Sequence, residues 1–430
     1  MVEECLSRLP KRLCKVSVCP PSESFAALPK PMLMRWRARA ASACATRPAS
    51  ISAMDWLRFF RTGDRAKYET LYFSRRRRLT DLVCGMLSGE PERYMDAVLD
   101  TVWSICEESA WQLPAHNAYV RDAPQLPWPD VEKPVVDLFA AETAALLACT
   151  CAALGSILPE PVHRRVRFEV ERRVLVPYRT MHFWWMGNAD EPVNNWTPWC
   201  AQNVLLCAFA IPFSQSVRRA VIVQAARSLD CFLKDYGHDG CCNEGAQYYS
   251  HAGLCLFGCL ELLCSVAPGV FDSLWREEKI RNIASYIYHM HVDGPYYVNF
   301  ADCSPLAGRR GAARGNICSP GARKIRIWPA LPRVTGVLAL PLRMRTETLS
   351  ASTCGTSFWR PASRRIWPGR QMLSRPRRPV ISITPVWACS LPGEAAGILR
   401  PRQAATPTAT TTMIQEVSSC TGMAGLSSSI

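Results

Sequence analysis

Three short segments carry most of the residues whose types and spacing could do chemistry. WQLPAHNAYVRD holds His116 and Asn117, HFWWMGNADEPVNNWTPW runs from His182 to Trp199, and DYGHDGCCNEGAQYYSHAG runs from Asp235 to Gly253. Each mixes aromatic rings with amides, carboxylates or histidine. Flat rings cover the apolar face of a pyranose, and amides and carboxylates take its hydroxyls. The combination points to a sugar-binding cleft, with Trp184, Trp185, Trp196 and Trp199 as platforms and Glu244 as a polar contact. The plainer alternative makes the tryptophans core aromatics with capping Asn and Asp around them. Three such segments in one chain favour the cleft. No metal and no cofactor is expected.

The elements that must position these residues read as helices. From Met54 onward, DWLRFFRTGDRAKYETLYFSRRRRLTDLVCGML, RYMDAVLDTVWSICEESA, VVDLFAAETAALLACTCAALGSI, VHRRVRFEVERRVLVPYRTM, WTPWCAQNVLLCAFAI, SVRRAVIVQAARSLDCFLKDY, YYSHAGLCLFGCLELLCSV and KIRNIASYIYHMHV carry apolar residues at helical spacing. Pro, Gly, Asn and Asp fill the links. SRRRR, Ser74 to Arg78, reads as a solvated helix face. Helices joined by short links pack as antiparallel hairpins. The fold class is therefore mainly α, as an α/α toroid or an open helical solenoid, which periodicity does not separate.

The two ends differ in texture. Residues 1–53 are rich in Ala, Arg, Pro and Ser and are expected to be poorly ordered. The chain's net charge is +15. Residues 305–430 hold 17 Arg and 1 Lys against 3 Glu and no Asp, leaving 33 basic and 33 acidic residues in 1–304. The whole excess thus sits in the tail, which removes the case for a nucleic-acid partner. The tail also lacks His and Tyr, has a single Phe, Phe358, and has 13 prolines, so no stable fold is expected of it. The 21 cysteines are scattered through apolar runs and read as buried free thiols in a reducing compartment. MVEECLSRLPKRLCK does not read as a secretory signal, and no run is expected to span a membrane. Together these place the protein in the cytoplasm.

HFWWMGNADEPVNNWTPWCAQNVLL followed by DGCCNEGAQYYSHAGLCLFGCLELL resembles the helical domain of the heparinase II/III-like family of polysaccharide lyases. LPAHNAYVRD and YYVNFADCSP fit the same family, and the resemblance covers about residues 54–308. It implies an α/α toroid over 54–304, followed by an antiparallel β-sandwich, with the active site between them. It also implies β-elimination on a uronic-acid polysaccharide or oligosaccharide. An amide or imidazole neutralises the uronate carboxylate, which acidifies the C5 proton. A base removes that proton and an acid protonates the leaving oxygen. By this resemblance Asn195 or Asn194 neutralises the carboxylate, and Tyr248 is base and acid with Tyr249 as its alternate. His116 and His251 assist. A tyrosine, with a free pKa of about 10, needs local positive charge to act as a base. Asn194 is also placed to cap the helix that starts near Trp196.

The sandwich should follow FADCSP and supply a further histidine from a motif like HNHNDxGSF, and no such string is present. Reading the third base of each tail codon with the first two of the next restores it. From Thr408, TATTTMIQEVSSCTGM then permits Ser-His-Asn-His-Asn-Asp-Thr-Gly-Ser-Phe-Ile-Leu-Tyr-Arg-Asp-Gly. The Asp across Met413 and Ile414 and the Gly across Met423 and Ala424 are forced. The same shift from Gly311 restores the tyrosine and carboxylates that the tail lacks. The expectation is one frame change near residues 305–312, with 305–430 an out-of-frame tail and the chain inactive as it stands. A glycoside hydrolase on the same helices, using Asp190, Glu191, Asp239 or Glu244 as acid and base, is the alternative enzyme. A non-catalytic glycan-binding module is the third reading.

Overall fold

Proline and glycine cut the apolar pattern into eleven α-helices among the described residues. The computed structural model of the chain describes residues 1–304, apart from 20–24, 26, 27, 189 and 295; the expected tail, 305–430, lies outside the described residues. The helices are α1 (Lys30–Cys44), α2 (Ala53–Thr62), α3 (Ala66–Leu87), α4 (Pro91–Cys106), α5 (Leu138–Leu154) and α6 (Glu160–Val170), then α7 (Val176–Thr180), α8 (Trp196–Ala210), α9 (Gln215–Asp235), α10 (Tyr249–Val266) and α11 (Glu278–His289). A two-stranded antiparallel hairpin, β1 (His291–Asp293) and β2 (Tyr296–Tyr297), follows. The protein is mainly helical, as the periodicity requires.

Helix ends follow local chemistry. Ser52 and Asp55 form a reciprocal capping box at the start of α2. Gly63, at φ +73°, ends that helix in the left-handed region and splits the long apolar run into α2 and α3. The segment VHRRVRFEVERRVLVPYRTM, expected as one helix, has a π turn at Glu171–Leu175 between α6 and α7. Pro177, with no N–H to donate, sits in the first turn of α7, and the wider turn absorbs the lost bond. At the other end, HMHV leaves the helix and enters β1.

Alternate helices form a row. α3 packs on α5, α5 on α8, and α8 on α10, while each is backed by its sequence successor α4, α6, α9 or α11. Helices α5 and α8 lie between neighbours and are buried along most of their length, which accounts for their being apolar on nearly every side. The stretch Leu138–Ile157 is long and apolar enough to cross a membrane, contrary to the expectation that no run is, but 72% of it is buried within the protein. The 17 cysteines among the described residues are free thiols. Burial pushes those of Cys84, Cys106 and Cys151 up to about 12, which keeps them protonated and unreactive.

Two expectations are corrected. The described part of residues 1–53 is packed. Val2, Cys5, Leu9, Leu13 and Val18 are buried in the main core, and the Val2 and Glu3 amides donate to Asp230 at 2.7 and 2.9 Å. α1 lies along α3. Its Ala- and Arg-rich composition shows no apolar stripe because it needs only small residues against its neighbour. The arginine run is also not a solvated face: Arg75, Arg76 and Arg78 are buried. Arg75 and Arg76 share the Glu108 carboxylate at 2.9 and 2.5 Å, and Arg78 donates to Thr101 Oγ1 at 2.9 Å.

Candidate functional site

The N-termini of α5, α8 and α10 come together, and the three chemistry-bearing segments are the loops that lead into them. Asp137 caps α5, accepting from the Phe139 and Ala140 amides. Its second oxygen accepts from Leu113 N at 3.2 Å and lies 2.6 Å from His116 Nδ1. The His116 ring stacks on Phe139 at 5.8 Å and meets Trp196 at 4.8 Å. Trp196 opens α8 and lies 5.0 Å from Trp184. One turn further, the Trp199 indole N–H donates to Glu142 Oε1 of α5 at 3.0 Å, and its ring stacks on His251 of α10 at 3.9 Å. Three convergent helix N-termini supply partial positive charge to this corner.

Asn195 and Glu244 form the polar centre. Asn195 is buried, and its Nδ2 donates to Glu244 Oε2 at 2.5 Å. That bond fixes which end of the amide faces the carboxylate, and it leaves a second Nδ2 hydrogen for another acceptor. Burial and the nearby Asp302 carboxylate raise the Glu244 pKa. The loop carrying Glu244 is pressed against the 300–304 segment. Gly245 has φ +78°, and a Cβ there would lie 2.6 Å from Cys303 Cβ, so glycine is required.

Tyr248 ends this loop, half-buried, with its ring 6.4 Å from that of His251. Burial, Asp302 and Glu244 raise its pKa. The nearest side-chain charges are thus negative and outweigh the helix N-terminus for Tyr248, opposite to what a tyrosinate base needs, and the hydroxyl is held as a proton donor. Burial lowers the His251 pKa to about 4, so its imidazole is neutral near pH 7. Burial raises that of Glu142 to about 7 despite the Trp199 bond.

The structure separates the expected residues. Asn195, Glu244, Tyr248, His251, His116, Trp184, Trp196 and Trp199 form one connected cluster. Asn194 stands one residue before the N-cap of α8, its Oδ1 accepting from Trp196 N at 3.1 Å in a local turn. Tyr249 is corrected to a core residue: it is 2% exposed, and its hydroxyl donates to Ile283 O at 2.9 Å. Trp185 is corrected likewise. It is buried, stacks between Phe183 and Tyr178, and donates to Val136 O at 2.8 Å. Asn117 is buried and bonded to Gln112, Leu126 and Trp128. Asp190, Glu191 and Asp239 are exposed, and their neighbouring amides bond within local turns.

Residue-by-residue reading missed Asp302 and Glu142. Asp302 lies in VNFADCSP, and Glu142 is the only charged residue in the run LFAAETAALLACTCAAL. A carboxylate alone in an apolar helix was the available signal. No family model matches the chain, and no curated protein is significantly similar to it.

Glu142 gives a pH prediction. Its folded pKa of about 7 exceeds the ordinary 4.5, so the folded state holds the proton more tightly than the unfolded one. This group's contribution to stability is full below about pH 4.5 and is lost as pH rises through about 7. Glu142→Gln keeps an acceptor for Trp199 and removes the ionisation. The variant should gain about 3 kcal/mol on wild type between pH 4.5 and pH 8, read from urea unfolding at both. An equal difference at the two pH values would refute the assignment.

Proposed function

We propose that residues 54–304 are the helical half of a polysaccharide lyase of the heparinase II/III-like kind, acting by β-elimination on uronic-acid glycans. What carries the reading is the convergence of Asn195, Glu244, Tyr248 and His251 with the tryptophans at three helix N-termini. In this reading the row α3, α5, α8, α10 with its outer helices belongs to an α/α toroid. The free Nδ2 hydrogen of Asn195, oriented by Glu244, meets the uronate carboxylate. Tyr248, protonated, delivers its proton to the leaving glycosidic oxygen. A base must take the C5 proton as the bond to the leaving oxygen breaks. In this reading that base is the histidine of the restored tail frame.

The test is ultraviolet absorbance of unsaturated products from uronate polysaccharides. The 430-residue chain should give none, and a chain restored to the alternative frame from near residue 308 should give a steady rise. Turnover by the chain as it stands would refute the missing-half account.

One observation favours a second reading. Glu244 and Asp302 are close enough for one charge to raise the other's pKa, the arrangement by which a carboxylate pair divides acid and base roles. A glycoside hydrolase would use such a pair and would release sugars without a new double bond. Glycan binding without turnover by the restored chain would instead favour a binding module.

A further inference from the structure

Arg121 is exposed beside the candidate site, in the segment LPAHNAYVRD, and none of the chemistry above employs it. Its guanidinium lies 4.9 Å from the centre of the Trp184 ring. Its Nη1 donates to Pro192 O at 3.0 Å, which ties it to the loop leading into Asn195. Among the described residues the one carboxylate within ion-pairing distance is Asp122, at 3.8 Å and 93% exposed, where water screens the pair. Most of the five guanidinium donors therefore remain available in a planar fork that suits a carboxylate.

Charge runs along the cleft. Arg121, Trp184, Trp196, Asn195 and Glu244 are linked in that order by ring contact, sequence adjacency and hydrogen bond. Asp302 adds a second carboxylate at the Glu244 end. The cation lies at one end and the carboxylates at the other. We infer that Arg121 and Trp184 form a subsite for a second uronate unit, next along the glycan from the unit held at Asn195. Its ring rests on the Trp184–Trp196 pair and its carboxylate meets Arg121. The charge gradient then fixes which way the glycan chain runs. This subsite rests on the glycan reading proposed above.

The experiment is calorimetric titration of the full chain with a non-sulfated uronate tetrasaccharide and with its carboxyl-reduced, neutral counterpart. Wild type should bind the acidic glycan about tenfold more tightly, the size of one charge-assisted contact. Arg121→Gln should cut that preference severalfold, to the part owed to Asn195, while leaving the neutral glycan's affinity unchanged, and Trp184→Ala should weaken both. A preference undiminished by Arg121→Gln overturns the subsite. Equal binding of both glycans by wild type also overturns it and leaves the glycan reading standing. No binding of either glycan overturns both together. Arg121 is exposed, so its variant should fold, and circular dichroism confirms that.

Discussion

Replacing Glu108 with alanine is expected to lower the unfolding free energy by about 3–5 kcal/mol, the cost of leaving buried charge without its partner. Glu108 is 7% exposed and receives Arg75 Nη1 at 2.9 Å and Arg76 at 2.6 and 2.5 Å. Arg76 also lies over the Tyr72 ring at 3.4 Å and donates to Thr143 Oγ1 at 3.1 Å. Arg173 completes the clasp, donating to the Cys106 and Glu108 carbonyls at 3.0 and 2.6 Å. Three arginines thus gather at the C-terminus of α4, where orphan carbonyls favour cations. Alanine leaves the guanidiniums of Arg75 and Arg76 in a dry site, with carbonyls and one hydroxyl as their remaining partners. Arg227 and Glu3 lie at a similar separation of 2.9 Å, yet both are more than half exposed, and their removal should hardly be measurable. Urea midpoints followed by tryptophan fluorescence compare the two. A loss under about 1 kcal/mol at Glu108 would mean that water reaches the clasp.

The clasp also marks where sequence reading failed. Four consecutive arginines look solvated, yet Arg75 and Arg76 find their partner some thirty positions away in one carboxylate, and Arg78 finds its own in Thr101. Pattern reading works within a helix turn or two, and it read the helices well for that reason: apolar spacing found α3, α5, α8, α9 and α10. It could not see that α1 packs without an apolar stripe, since small residues against a close neighbour carry no periodicity. The site was legible as three segments because each is a loop entering a helix, dense in rings and amides. Within a segment the sequence did not sort the residues. Trp184 and Trp185 are adjacent on one short turn, and only the fold leaves the first half-buried against Trp196 and Arg121 and sends the second into the core. Tyr248 and Tyr249 divide in the same way, at the first turn of α10. Glu142 escaped notice because its partner, Trp199, belongs to another helix.

On the lyase reading proposed above, Tyr248→Phe in the frame-restored chain should cut β-elimination by about 10²- to 10⁴-fold, the ordinary worth of a positioned proton donor. The phenyl ring fills the same half-buried place, so folding and glycan affinity should change little. Tyr249→Phe is the internal comparison. It removes a hydroxyl bonded to Ile283 O, should cost about 1 kcal/mol of stability, and should leave turnover near wild type. The pH profile sharpens the assignment. Burial and the Glu244 and Asp302 charges raise the Tyr248 pKa, so the hydroxyl stays protonated across the neutral range and its own ionisation should not limit the rate there. Removing one of those charges with Asp302→Asn should lower the Tyr248 pKa and shift any alkaline limb of the profile to lower pH. If Tyr248→Phe and Tyr249→Phe reduced turnover equally, the proton donor would have to be sought elsewhere in the cleft. His251, neutral near pH 7 and stacked on Trp199, would be the next residue to replace.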